Sequence, residues 1–451
     1  MRTPASRLAL AWIVLITLVA AFAPLLASSR PLSLAIDAAG PRHSPLLESL
    51  DPLDWTLALA APLLIGWCLL GGPRRVAGRA ALASLLLALG VGAASIVQGL
   101  TPRPPEVFGD ETRAAHLDLA PRWTLVPFSP AERSTDAPDS FLPPGTRTVT
   151  ATLSAILPAA PELSDSASLS PERLAQLTQS LRSLPLTPSE RDALERDLAA
   201  RITPGAALTH SDLRAIVEHH TAALGRVHIL GTDARGHDVA SHLIHGCRVA
   251  VSVGIIAAAI STIIGVSVGA AAGFMGGAAD ALLSRVIDAF ASIPVLFVLV
   301  IAAGVLPRQP HVIMAVIGCL TWTGCARLTR AAVIAVRSSE YVLAARAAGA
   351  GPFARVTRHV LPNALAPVII DVSFSLAAAI VIESGLSFLG LTDPGSPSWG
   401  SLLASAVKDT GSPVWWLAFA PGLVLFLTCL SYNTLGEALR DTLDPRSRRH
   451  A

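Results

Sequence analysis

The sequence predicts an all-α protein that crosses a membrane several times. Apolar residue types make up 52% of the 451 residues and charged types only 15%, and the mean hydropathy is +0.56. A soluble domain carries about 25% charged residues, so this chain is short of solubilising side chains. It also contains apolar runs that approach or exceed the length of about 20 residues that a helical span needs. This composition excludes a disordered chain and a basic nucleic-acid binder, and the lipid bilayer is the partner that it implies.

Eight apolar runs are predicted to be spans. They cover residues 8–27, 55–70, 80–100, 248–272, 284–306, 312–333, 364–390 and 414–436. The first run follows Arg2 and Arg7, so a cleavable signal peptide is an alternative to a membrane anchor. Its length favours an uncleaved anchor, and either choice leaves the following loop outside.

The positions of the basic residues predict the orientation of these spans. Short outside loops hold only Arg30, Arg42, Arg308 and Lys408. The predicted inside segments hold sixteen arginines, at positions 2, 7, 74, 75, 79, 285, 327, 330, 337, 346, 355, 358, 440, 446, 448 and 449. Short loops rich in Arg stay in the cytoplasm. Both termini are therefore predicted to be cytoplasmic.

The long segment 101–247 is predicted to lie outside. Its first part, 101–147, is rich in proline, which indicates an extended loop. Between residues 170 and 225 three leucine-rich amphipathic patterns follow, and one of them opens on the capping-box pattern of 187–190. These patterns predict a small helical module, which serves either as a spacer or as a docking surface.

Several chemistries find no support in the sequence. Lys408 is the only lysine and lies between Val407 and Asp409, which excludes the Gly-rich, lysine-containing phosphate loop of an ATPase. The five cysteines form no Cys-x-x-Cys pair and are expected to be small buried apolar residues. No His-Glu-x-x-His motif is present, and no catalytic residue is predicted.

A group of histidines occurs before the fourth span, at positions 228, 237, 242 and 245. His242 and His245 are three residues apart and would share a helix face, an arrangement that suits a metal pair. A solvated set at the membrane interface is the favoured alternative. No metal ligand is therefore predicted.

Six segments of the second half carry the most specific pattern. They are residues 228–241, 273–294, 322–330, 341–363, 383–400 and 433–446. In content and order these segments resemble the permeases of dipeptide/oligopeptide-type ABC importers, and among them the C-type subunit. In the first segment the residues that match an outer-face motif of that family are Gly231, Thr232, Asp233, Gly236 and Asp238. His237 and His242 depart from it, because the family has Arg at both positions.

The resemblance implies a fold and a division of the chain. The fold is the transmembrane domain of a type I ABC importer, with about eight spans and a small helical extracytoplasmic insertion. Residues 1–100 would hold the N-terminal anchor and two additional spans, and 101–247 the extracytoplasmic loop with an insertion at about 145–227. The five-span permease core would cover 248–436, and a cytoplasmic tail 437–451.

Residues 337–362 resemble the cytoplasmic loop with which such permeases dock into a cleft of an ATPase subunit. Small alanines permit close approach, Gly349 can form the left-handed turn that ends a helix, and arginines can bind carboxylates of the partner. The residues predicted to carry the coupling are Leu343, Ala344, Ala345, Gly349, Arg355, Arg358 and Pro362. Leu343 departs from the family, which usually has Glu at this position.

Three acidic residues fall inside predicted spans, at Asp288, Asp371 and Glu383. Charges in the bilayer are costly and point to function by default. Two roles are open for these residues: pairing of helices, or lining of the translocation path. Helix pairing is the favoured role.

The resemblance implies a permease subunit of an ATP-driven importer for peptides or similar small solutes, in the inner membrane of a bacterium. Its partners would be a B-type permease, two ABC ATPases that bind ATP and Mg²⁺, and an extracytoplasmic solute-binding protein. No cofactor is expected in this chain. An ion-coupled secondary transporter is the alternative; it predicts inverted repeats, and none is visible.

Overall fold

The computed structural model describes residues 4–28, 125–128, 144–147, 227–233, 236–408 and 414–443. It also describes residue 196 and short pieces or single residues between 34 and 93. The helices in this part of the chain are α1 (Pro4–Leu26), α2 (Val239–Met275), α3 (Gly277–Ala291), α4 (Val295–Val305), α5 (Pro310–Arg337), α6 (Glu340–Ala347), α7 (Pro352–Arg355), α8 (Leu361–Ala364), α9 (Ala366–Phe388), α10 (Trp399–Lys408) and α11 (Trp415–Leu443). A π-helical turn, Val356–Val360, joins α7 to α8.

Short strands accompany the helices. They are β1 (Leu34–Ala35), β2 (Arg42–His43), β3 (Thr146–Arg147) and β4 (Val227–His228). β1 pairs with β2 and β3 with β4, both antiparallel. The described part of the chain is thus an all-α fold with two short antiparallel strand pairs.

Five of the predicted spans are confirmed as single helices long and apolar enough to cross a membrane: α1, α2, α5, α9 and α11. The second and third predicted spans lie mostly outside the described residues. Their described residues 54–57, 59–60, 86–91 and 93 are helical. The predicted helical module at 170–225 lies outside the described residues, apart from helical residue 196.

The fifth predicted span, 284–306, is not one helix as the apolar run suggests. It is divided between α3 and α4, whose axes differ by 72°. The break lies between Ser292 and Pro294, where α3 ends and α4 begins. Proline lacks the N–H that would continue the helix and disfavours a helical conformation of the residue before it. The bent pair is long and apolar enough to be one broken span; apolar length alone contains no signal for the break.

The main core lies where α1, α2, α9, α10 and α11 meet. Its largest fully buried side chain is Trp399, and Ile380, Leu402 and Leu417 pack in the same cluster. The outermost of these helices, α1 and α11, are about 400 residues apart in sequence, so the cluster packs the two ends of the chain together. Of the cysteines expected to be buried, Cys247 and Cys325 are, but Cys319 is exposed, because its neighbour Gly318 is the residue that faces α2.

α2 and α5 form the closest helix pair, because glycines bring their backbones together. A Cβ added at Gly265 would lie 2.9 Å from the carbonyl oxygen of Trp322, and one at Gly273 would lie 2.8 Å from that of Arg330. Between them, a Cβ at Gly269 would overlap the carbonyl oxygen of Ala326. These three glycines are spaced four residues apart, the small-residue pattern that lets membrane helices approach closely.

We expect Gly269→Ala to destabilise the protein, because even one methyl group overlaps the backbone of α5. Overpacking of this kind costs about 1–3 kcal/mol. The matched control is Gly304→Ala in α4, where an added Cβ meets no atom within 4 Å and alanine favours the helix by about 0.5–1 kcal/mol. Thermal unfolding of the full chain in detergent measures both. Equal unfolding temperatures for the two variants would contradict the close α2–α5 contact.

Candidate functional site

The predicted coupling segment begins with α6, which ends as its sequence predicts. Gly349 has a φ of +84°, a left-handed conformation that glycine adopts without steric cost. Its N–H donates to the carbonyl of Arg346, and the N–H of Ala350 donates to that of Ala345, each at 3.0 Å. These two bonds form a complete Schellman motif. Gly349 therefore sets the angle at which α7 leaves α6.

The end of the segment contains a π-helical turn with an identifiable cause. Pro362 lies in α8 and has no N–H to donate to the carbonyl of Arg358, and its ring crowds that carbonyl. The helix widens here, and the N–H of Leu361 reaches back to the carbonyl of Val356. Pro362 thereby shapes the return of the chain to α9.

One face of the segment is anchored on the bundle. Val342 is 2% exposed and packs with Val333 and Val360. At the base, Arg337 donates from Nη1 to the carbonyl of Gly273 at 2.8 Å, which ties the end of α5 to the end of α2. The segment is thus joined firmly to both helices of the closest pair.

Other residues of the segment are exposed, and several of them are apolar. Leu343 is 52% exposed and Phe353 82%, while Tyr341 and Ala344 are also exposed. We call the exposed residues Tyr341, Leu343, Ala344, Phe353 and Arg358 the docking face. Arg355 is only partly exposed, and its guanidinium carbon lies 5.5 Å from the ring centroid of Phe274 in α2, within cation–π range.

At the other end of α2 the outer-face motif forms a closed turn. Gly231 and Gly236 have φ values of +77° and +79°, and Thr232 and Asp238 face each other as a bridge. The N–H of Val239 donates to the carbonyl of Gly231 at 3.1 Å. The motif residues thus lie together and lead the chain into α2.

Asp238 holds the start of α2. Its Oδ1 accepts from the N–H of Ser241 at 2.7 Å, an N-cap bond, and its Oδ2 lies 2.8 Å from Nδ1 of His228. Both side chains are only 1% exposed. The ring of His228 stacks on that of Phe128, 4.1 Å between centroids, so the proline-rich segment is also attached here.

Asp233 of the motif faces His237. Its Oδ1 accepts from the main-chain N–H of His237 at 2.8 Å, and its Oδ2 lies 3.1 Å from Nδ1 of the same residue. Burial by itself raises the pKa of Asp233, but the hydrogen bonds and charge of His237, together with the charge of His242, outweigh it and lower the pKa below its ordinary value.

Glu383 in α9 is buried among hydroxyl groups. Its Oε1 accepts from the hydroxyls of Ser387 at 2.6 Å and of Ser398 at 2.9 Å. Ser398 directly precedes α10, whose Gly400 packs against the backbone of Ser384 so closely that no side chain fits. This is the geometry of helix pairing, and it attaches α10 to α9.

The other two intramembrane acids have different surroundings. Asp288 is exposed on α3, and Asp371 is partly buried on α9. Among the described residues, neither carboxylate has a hydrogen bond or a salt bridge. Their predicted roles stay predictions.

Two ion pairs were not predicted from the sequence. Arg330 of α5 donates twice to Asp280 of α3, at 2.6 and 2.9 Å, and Arg248 of α2 donates to Asp54 at 2.6 Å. Each pair joins residues at least 50 positions apart. Each pair becomes visible only when the two segments that carry its residues are placed in contact. The apolar periodicity of the sequence contains no such signal.

Comparison with known proteins agrees with this architecture. Residues 265–449 match the family described as binding-protein-dependent transport system inner membrane component. The chain is 39% identical over 220 residues to the di/tripeptide transport system permease protein DppC of Pseudomonas aeruginosa, covering 48% of this chain and 72% of that protein. It is 34% identical over 241 residues to the dipeptide permease DppC of Bacillus subtilis, covering 53% and 75%.

A third relative is the oligopeptide transport system permease protein OppC of Haemophilus influenzae, 35% identical over 222 residues, with 49% of this chain and 71% of that protein covered. The chain belongs to this family. It is a permease subunit of an ABC importer and a multi-pass membrane protein, as the six motifs indicated.

In this permease we expect Glu383→Gln to fold normally, because the amide oxygen can still accept from Ser387 and Ser398. Glu383→Leu leaves buried hydroxyls without an acceptor, which costs about 1–3 kcal/mol. Ser398→Ala removes one of the hydroxyl donors to Glu383 and should lower the free energy of unfolding by a smaller amount. Thermal unfolding in detergent and uptake by the assembled transporter are the measurements. A Glu383→Gln variant that unfolds like the wild type but no longer transports would show that its charge serves the path instead.

Proposed function

We propose that this permease carries peptides or similar small polar solutes across the inner membrane of a bacterium, through a path that it forms with a second, B-type permease. The relatives named above are permeases of di/tripeptide, dipeptide and oligopeptide transport systems. An extracytoplasmic binding protein delivers the solute to the outer-face side. This chain performs no covalent chemistry.

The docking face is the observation that carries the coupling part of the proposal. It presents large apolar side chains, Phe353 and Leu343, on short helices whose other face is anchored by Val342. Exposed apolar groups of this kind mark a protein interaction surface. We assign it to one of two cytoplasmic ABC ATPases, which bind ATP and Mg²⁺. An ion-coupled transporter would leave this face without a role.

The anchoring of the segment explains how an ATPase can move the spans. Arg337 ties the segment to α2 through Gly273, and α2 is in backbone contact with α5. A displacement of the docking face therefore moves α2 and α5 as a unit. ATP-driven closure of the two ATPases would reach the path by this connection and switch it between inward- and outward-open states.

The orientation follows from the same assignment. The docking face lies at the ends of α2 and α5 that the arginine distribution puts inside, and the outer-face motif lies at the other end of α2. Both termini are then cytoplasmic. The apolar residues Leu282, Phe297 and Ile301 remain exposed on α3 and α4, where lipid or the partner permease can cover them.

We expect Gly349→Val to uncouple transport. A residue with a side chain is disfavoured in this left-handed conformation by about 1–2 kcal/mol. This corresponds to a 5- to 30-fold loss in the population of the correctly shaped segment. Gly349→Asn is the matched control, because asparagine tolerates this conformation and an added Cβ meets no atom within 4 Å. Uptake by the transporter reconstituted with its ATPases is the measurement. Equal uptake by both variants would contradict a coupling role for this turn.

Leu343 provides a second test of the docking face. Since this chain has Leu where the family usually has Glu, the ATPase cleft that it meets should be apolar at this point. Leu343→Glu should then weaken binding of the cognate ATPases, while Leu343→Met should not. Because Leu343 is half-exposed, the unfolding temperature should stay unchanged. Co-purification of the ATPases measures the effect, and full retention by Leu343→Glu would remove Leu343 from the interface.

A further inference from the structure

A small cavity lies beside the outer-face motif. Its volume is about 200 Å³. One wall is formed by Asp233, His237 and His242, and the opposite wall by residues of the α9–α10 connection and α10, which include Thr392, Asp393 and Ser401. This volume can hold an ion together with bound water molecules.

The first wall gathers three residues that can ligate a metal. Asp233, His237 and His242 each offer a ligand atom, and these atoms lie within 4.8 Å of one another. In a tetrahedral zinc site with bonds of 2.0–2.1 Å the ligand atoms are about 3.3 Å apart. Side-chain rotations that move the ligand atoms by roughly one ångström would therefore bring all three within bonding distance of one ion.

Hydrogen bonds orient the three side chains: Oδ2 of Asp233 lies 3.1 Å from Nδ1 of His237, a contact that a bound ion would replace. Nδ1 of His242 lies 3.3 Å from the main-chain oxygen of Asp238. With its proton on Nδ1, the ring donates to this carbonyl and carries its lone pair on Nε2, which is how metal-binding histidines are oriented. Asp233 is oriented in a similar way, since the main-chain N–H of His237 holds its Oδ1.

The pairing differs from the one that the sequence suggested. His242 lies next to His237, with 5.0 Å between ring centroids, and not next to His245 in a shared site. Nδ1 of His245 is within 3.1 Å of the carbonyl of Ser241, one turn further along α2. The turn at Gly236 folds His237 back over the start of α2, which spacing along a helix could not show.

We propose that Asp233, His237 and His242 bind one divalent first-row transition-metal ion, with Zn²⁺ as the reference ion. Two imidazoles and one carboxylate suit zinc, nickel and similar ions and leave a coordination position open. That position faces the cavity and the wall that carries Asp393. A bound ion would clamp the outer-face motif onto the first turn of α2.

The site can be tested independently of transport. The full-length chain, purified in detergent without a histidine tag and stripped of metal, is titrated with ZnCl₂ by calorimetry. We expect one zinc equivalent that Asp233→Asn and His242→Gln weaken by more than about 100-fold, the upper end of the loss seen when only an outer-shell partner is removed. His245→Gln is the matched control and should bind as the wild type does.

Folding of the variants is checked separately, by their unfolding temperature without metal. Asp233→Asn keeps an oxygen that can accept from the N–H of His237, so this variant tests ligation with the turn intact. Zinc should raise the unfolding temperature of the wild type and of His245→Gln, but not that of the other two. Zinc binding that is absent from the wild type, unchanged in His242→Gln, or lost equally in His245→Gln would overturn the proposal.

Discussion

The backbone contact between α2 and α5 is the constraint on which the rest of the bundle depends. It needs three glycines in register on α2, because each Cβ would meet a carbonyl oxygen of α5. In a bilayer the hydrophobic effect does not drive helices together, so close van der Waals packing supplies much of the association. Once the two helices are joined, both ends of α2 are positioned: one end carries the outer-face motif and the other receives the coupling segment.

The two ends of α2 are built on different physical principles. At the outer end buried polar groups are paired across segments: Asp238 caps the helix and holds His228, and Trp399 donates from its indole to the carbonyl of Leu243 at 3.1 Å. At the coupling end only one face is packed, and the docking face is left exposed. These hydrogen bonds hold the segments of the first end together. The second end exposes the surface that we propose an ATPase subunit covers.

Buried polar groups also decide how the later helices join the bundle. Glu383 accepts hydrogen bonds from serine hydroxyls on both sides of the α9–α10 connection, which holds α10 against α9. Trp399 of α10 packs beside Gly246 of α2. The same connection forms the far wall of the cavity that faces Asp233, His237 and His242. A single acid in a span therefore serves the architecture and indirectly shapes a polar cavity at its end.

The sequence by itself determined the all-α membrane class, five of the spans, the family and the left-handed turn at Gly349. These features are local: apolar length, the preference of glycine for positive φ, and motifs that are contiguous in the chain. The tertiary structure alone decided the bend between α3 and α4, the attachment of Arg355 to Phe274, the ion pair of Arg330 with Asp280, and the grouping of His242 with His237. Each of these depends on where another segment lies, or on a turn that folds the chain back. The apolar periodicity of one helix contains no information about which residue of another segment will contact it.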